Sequence, residues 1–301
     1  MNRCRLNRAF LVLGLIAQFV IHSAAQAAAG AGGAVVEAVQ MPAWVERAGA
    51  KIPLAPGMEL QDRDRVLTGA NSRLLLRMPE GSGVKLGENG SLLLDSLRMQ
   101  PERRVFSGAI NVLEGAFRFT TNLLRKSGGV KRDINIIIAT VTTGVRGTDI
   151  WGKSAADRDI VCLIEGRIEV QRGAEAPIVM DQPLSFYIAP RGRLALPVAP
   201  VPKEQLEQWA AETEIQAGKG AARSGGKWKV VLASVETQEA ALRVYDDVRA
   251  GGYAAEIRPV KLEDRRIYNV RVANLASRAE AQALADALRG KMGVTEPKVS
   301  K

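Results

Sequence analysis

Two stretches of the chain, VLTGANSRLLL from Val66 to Leu76 and VKLGENGSLLL from Val84 to Leu94, follow one pattern, V-x-x-G-x-N-x-x-L-L-L. A second echo pairs VLEGAFRF (Val112 to Phe119) with LIEGRIEV (Leu163 to Val170), each setting Glu-Gly between apolar runs. Such runs are too short for helices, and Gly and Asn break them where a turn must form. The same alternation extends from Ala43 to about Pro197. It predicts an all-β domain, a roll or sandwich in which similar strand-turn-strand hairpins stack on one another.

Just after the run INIIIATV comes TTGVRGTDIW, Thr142 to Trp151. A phosphate loop of the Walker type needs G-x-x-x-x-G-K-[ST] at the start of a helix. Here Gly144, Arg146, Gly147 and Thr148 stand without that lysine and lead into a strand-like DIWG, so the phosphate reading fails. These four residues are expected to form a structural motif. Gly147 supplies a backbone angle that a side chain would forbid, and Arg146 pairs with a carboxylate or caps carbonyls.

The N-terminus sets Arg3, Arg5 and Arg8 before an apolar run from Ala9 to Ile21 and then Ala25-Gln26-Ala27. This describes a secretory leader over residues 1–27, cut before Ala28, and it places the mature protein in the periplasm. The apolar run is shorter than the ~20 residues a spanning helix needs. Cleavage also has a chemical consequence, because the single histidine, His22, leaves with the leader, as does Cys4. Only one thiol, Cys162, is left, inside the apolar run IVCLI. Ser-His and Cys-His nucleophile pairs and histidine zinc sites are thereby excluded, and neither metal nor cofactor is expected.

After the β region, residues 201–226 read as a short helix near Lys203 to Ile215 followed by AGKGAARSGG, a small and polar flexible linker. Residues 227–301 change texture, with strand, helix, strand, strand, helix, strand in order. Thr237 and Ser277 start the helices and Gly251 stops the first. The order β-α-β-β-α-β is the split ferredoxin-like arrangement, an α+β domain with helices on one sheet face and the other face open. Strand alternation puts Lys229, Val231 and Ala233 beside Asn269 and Arg271 on that open face. Val230, Leu232, Val270 and Val272 then face the helices.

Two resemblances rest on these residues. From Glu46 to Gly173 the chain resembles a FecR-like domain, through Gly57, DRVLTG at Asp64 to Gly69, PEGSGVKLGENGSLLL, GVRGT and IEGRIEV in that order. Glu80-Gly81-Ser82 stands where that family usually has D-G-S. Across residues 227–301 the chain resembles a SPOR domain, through Trp228, Ser234, Glu239-Ala240, Gly252-Tyr253, Tyr268 to Val272, and Ser277 to Ala281. Val231, Ala233, Asn269 and Ala273 depart from the residues usual there. The resemblances divide the chain into a FecR-like domain at 43–200, a helix and linker at 201–226 and a SPOR-like domain at 227–301.

The SPOR resemblance implies binding of peptidoglycan glycan strands stripped of their stem peptides, as at division sites. Lys229, Val231, Ser234, Asn269 and Arg271 are the glycan-binding candidates. The FecR-like module would serve ligand or protein interaction in the envelope.

Alternatives stay open. One is a sensing scaffold whose SPOR-like unit no longer binds glycan, and another is a chain that cleaves glycans with Glu114 and Glu165. Because those two carboxylates stand at equivalent points of a repeat, turn structure accounts for them, and no enzyme activity is expected. RNA modules share the β-α-β-β-α-β order, and the chain has a formal net charge of +10. They stack bases on aromatics of the central strands, however, where this chain has Val231, Ala233, Asn269 and Arg271. Nucleic acid is therefore not expected as a partner.

Overall fold

The computed structural model describes residues 33–121, 130–145, 147–262 and 265–301. The expected leader, with His22 and Cys4, and the side chain of Arg146 lie outside these described residues. The architecture is mostly β-sheet, with three helices among the described residues: α1 (Lys203–Thr213), α2 (Gln238–Ala250) and α3 (Arg278–Leu288).

The N-terminal β region is built on one long strand, Val105–Thr120. Its first half pairs with Ser91–Gln100 and, in parallel, with Lys131–Ile138. Its second half pairs with Asp149–Ser154 and Gly83–Leu86. Two ladders thus share this strand, and the change of partners falls at Glu114-Gly115. Side chains from both ladders, among them Val45, Leu92, Ile110, Ile136, Phe117, Phe119 and Leu163, meet in one buried core.

The sequence echoes mark places where the chain passes from one ladder to the other, not stacked hairpins as the repeats suggested. Asp64–Thr68 lies in the first ladder and Arg73–Arg77 in the second, joined through Gly69 to Ser72. Gly83–Leu86 and Ser91–Gln100 make the reverse passage through Gly87 to Gly90. The Glu-Gly echo does the same at Glu165-Gly166, between Arg158–Glu165 and Ile168–Arg172.

The first two corners also bond to each other. The Thr68 hydroxyl donates to the Gly87 carbonyl at 2.6 Å and accepts from the Gly90 N–H at 2.8 Å, while Asn89 N–H donates to the Gly69 carbonyl at 3.1 Å. Asn71 and Asn89 take φ values of 57° and 49°, a region that Asn tolerates better than most residues. The shared pattern therefore encodes a pair of mutually bonded corners.

Helix α1 docks on the second ladder. The Trp209 ring stacks on Trp151 at 4.6 Å between centroids and 8° between planes, and Phe186 meets Trp209 edge-on at 5.7 Å. Cys162 is buried in the same cluster. Polar contacts flank it, with Lys153 bonded to Glu212 at 2.8 Å and Arg118 to Asp149 at 2.7 Å.

The segment 217–226 is not the flexible linker that its composition suggested. Ala221–Arg223 forms a strand that pairs with Ala38–Gln40 on one side and meets Leu275 through Ala222 on the other. The physical reason is a remote acceptor. The Glu280 carboxylate, 59 to 62 residues along the chain, receives the N–H groups of Gly218, Gly220 and Ala221 at 2.7, 2.7 and 2.9 Å.

The C-terminal region orders its antiparallel strands as Lys298–Ser300, Trp228–Val235, Arg265–Leu275 and Ala255–Leu262. The Thr237 and Ser277 hydroxyls cap α2 and α3 by accepting from Ala240 and Glu280 N–H, each at 3.2 Å. Val230, Leu232, Val270 and Val272 are buried in one core with Ala241 and Val248 of α2 and Leu284, Ala285 and Leu288 of α3. Through Ala221–Arg223 this sheet continues the second N-terminal ladder.

Candidate functional site

The open face of the C-terminal sheet collects polar side chains in cross-strand pairs. Val231 lies opposite Arg271, and Ser234 lies opposite Asn269. Strict alternation cannot put residues 231 and 234 on one face, but the ladder shifts register between Val231 and Ala233. The extra residue turns Ala233 inward, where it packs on the core, so the expected place of Ala233 on the open face is corrected. Ser234 takes that place, and its hydroxyl donates to the Asn269 side-chain carbonyl at 2.7 Å.

The neighbouring edge strand extends the row. Glu256 is opposite Arg271 and Arg258 is opposite Asn269. Arg271 Nε donates to Glu256 Oε1 at 2.7 Å, and Arg258 Nη2 lies 3.0 Å from Glu256 Oε2. Half-exposed pairs of this kind contribute little stability. Their effect is to hold the Arg271 guanidinium in one orientation while leaving other donors unused. At the far end, Lys229 Nζ donates to the Lys301 carbonyl.

Sequence reasoning missed Glu256 and Arg258, although the same period-two argument applied to YAAEIRPV would have found them. It also missed a neighbour that no local pattern contains. The N-terminal domain stands beside the open face, joined among other contacts by the strand Ala221–Arg223, the Ala43 N–H bond to the Gly252 carbonyl at 3.1 Å, and Trp44 Nε1 donating to the Ala250 carbonyl at 3.3 Å. The Trp44 ring lies against Gly252, where a Cβ would fall 2.5 Å from it. Between the two domains is a cleft of about 400 Å³, with Arg249, Glu256, Arg258 and Arg271 on one side and Pro53, Ala55, Pro56 and Met58 on the other.

The structural motif lies elsewhere. Gly144 lies within the strand Val141–Val145, and Gly147 takes φ +86° in the passage from that strand to Asp149–Ser154. Thr148 N–H donates to the Thr121 hydroxyl at 2.9 Å, and that hydroxyl donates to the Thr148 carbonyl at 2.8 Å. The motif is a bonded corner, remote from the open sheet face. Glu114 and Glu165 are both exposed and sit at ladder corners. Cys162 is fully buried, and burial pushes its thiol up to about 12. Among the described residues no helix is long and apolar enough to cross a membrane.

Comparison with curated proteins gives no match. Among solved structures the chain is similar to two crystal structures of a proposed anti-sigma factor from Parabacteroides distasonis, at 1.65 and 2.50 Å resolution, each with 14% identity and a TM-score of 0.38. The first likeness covers 68% of this chain and 98% of the other, the second 74% and 89%. At that TM-score neither likeness carries an argument. Family models match in two places, SPOR domain over residues 224–297 and FecR protein over residues 64–169. With these matches lying on the C-terminal sheet with its polar face and on the cornered β domain, the chain carries a FecR domain followed by a SPOR domain.

Proposed function

We propose that this is an exported, non-enzymatic protein of the cell envelope that binds bare peptidoglycan glycan strands in the periplasm. The C-terminal domain is read as ferredoxin-like, with its open face as the binding surface and the FecR domain as a module for ligand or protein interaction. The observation that carries this reading is the row Ser234–Asn269 and Arg271–Glu256–Arg258 on the one sheet face that helices leave uncovered. Sugar hydroxyls and acetamido groups are bound by placed donors and acceptors, which such a row supplies.

Glycan cleavage is not part of the reading, because Glu114 and Glu165 stand apart at exposed corners whose geometry the fold itself requires. The Ala25-Gln26-Ala27 site further predicts a mature chain that starts near Ala28.

Co-sedimentation of the full chain with intact and amidase-treated sacculi tests the proposal. The amidase-treated material is expected to retain the protein and to release no soluble glycan fragments. Arg271→Ala combined with Asn269→Ala is expected to weaken retention at least about tenfold, the factor that 1.4 kcal/mol represents. A wild-type chain that ignores amidase-treated sacculi, or a double variant that binds as wild type does, ends the proposal.

A further inference from the structure

The polar face is not equally open along its length. At the end where Ala255–Leu262 begins, the loop Pro53 to Met58 of the FecR domain stands across from it, and the cleft of about 400 Å³ lies between them. Three guanidinium groups line this cleft, those of Arg249, Arg258 and Arg271, against the single carboxylate of Glu256. Arg249 comes from the last turn of α2, off the sheet, where it lies over the Tyr245 ring at 5.1 Å. Glu256 is shared by Arg258 and Arg271, and with Arg249 also in the lining the cleft sets three arginines against one carboxylate and has an excess of cations.

We propose that this cleft is a composite saccharide site, walled by the FecR domain, that selects a sugar carrying a free carboxylate. The proposal rests on the glycan reading above and names what that glycan must carry. In intact peptidoglycan the lactyl carboxyl of each muramic residue is tied up as an amide to the stem peptide. Hydrolysis of that amide leaves a carboxylate on the sugar and frees the peptide. The difference between a substituted and a bare strand is then one negative charge per disaccharide, together with the removal of a bulky branch.

Arginines bind carboxylates with two parallel, charge-assisted hydrogen bonds, and they do so more strongly where protein walls displace water. The volume lies in the range of small-molecule pockets, ~300–1,000 Å³, which suits one or two sugar rings with their substituents. The wall is held in place by the continuous ladder through Ala221–Arg223 and by Trp44 on α2, so the site is formed before the sugar arrives.

Soluble glycan strands from amidase digestion, in one form with free carboxylates and in another capped as methylamides, separate the possibilities in titrations of the full chain. Capping is expected to weaken binding at least tenfold, and Arg258→Gln to remove most of that preference. Ala55→Trp, which fills the cleft from the FecR side, is expected to weaken binding of the free-carboxylate strand at least fivefold with an unchanged thermal midpoint. Equal binding of capped and free strands overturns the charge selection, and wild-type affinity in Ala55→Trp overturns the FecR wall. A wild-type chain that binds neither form fails at the earlier step, the glycan reading itself.

Discussion

Two glycine-rich segments, Thr142 to Thr148 and Ala217 to Gly226, look alike in composition and have the same kind of partner-rich surroundings in the fold. Each carries a glycine at positive φ, Gly147 in the first and Gly218, Gly220 and Gly225 in the second. The first is read from sequence as a corner because strands flank it on both sides. The second reads as a linker because a domain boundary lies there and nothing near it offers hydrogen bonds. The difference teaches that glycine only permits a conformation, whereas order depends on whether the freed N–H groups find acceptors. At the corner the acceptor and donor is Thr121, just past the end of the strand Val105–Thr120, and in the second segment the acceptor is Glu280 on α3.

Removing that acceptor is the largest test of the comparison. Glu280 is 7% exposed and serves three N–H groups, two of them, at Gly220 and Ala221, buried. Leaving a buried donor unpaired costs ~1–3 kcal/mol, so Glu280→Ala is expected to lower stability by about 3 kcal/mol in urea unfolding. It is also expected to create a protease site between 217 and 226 that the wild type lacks. A variant as stable and as resistant as wild type would mean that the segment orders without Glu280, as the composition alone cannot explain.

Cys162 shows how far that order reaches, since it lies under α1, the element that leads into the segment. Burial, with a smaller contribution from the nearby Asp149 charge, pushes its thiol up to about 12 from an ordinary value of 9.0. The folded protein therefore keeps this proton through a window where the unfolded chain has lost it. The stability this contributes is fully present below pH 9.0 and falls progressively as pH rises from there to about 12. Iodoacetamide at pH 8 is expected to leave Cys162 untouched in the wild type and to label it in Glu280→Ala if α1 lifts with the segment. Equal protection in both would confine the damage to 217–226.

The smallest effects separate the two glycines of the corner. Gly147→Ala asks an L-residue to take φ +86° where, among the described residues beyond its chain neighbours, no atom lies within 4 Å of the added Cβ, so its cost is the backbone term, about 1–2 kcal/mol. Gly144→Ala has the same empty surroundings in an ordinary strand conformation and is expected to change stability by less than about 0.5 kcal/mol. Equal costs at the two positions in thermal unfolding would place the constraint in sterics that the structure does not contain.

Sequence by itself determined the all-β character of the first region, its corner at Gly147-Thr148, the two capped helices of the second and the buried Val230, Leu232, Val270 and Val272. These rest on local periodicity, turn residues and caps, all of which act over a few residues. It also placed Asn269 and Arg271 on the open face.

Only the tertiary structure decided three further points. A register shift in Trp228–Val235 brings Ser234 to Asn269 and hides Ala233, and a shift of one residue leaves no trace in composition. Glu280 converts the apparent linker into a strand through bonds across about sixty residues. The loop Pro53 to Met58 becomes one wall of the cleft because the ladder Ala38–Gln40, Ala221–Arg223 and Leu275 runs through both domains. Each of these depends on which distant groups the folded chain brings within hydrogen-bonding or van der Waals reach, a property of the whole packing that no window of sequence contains.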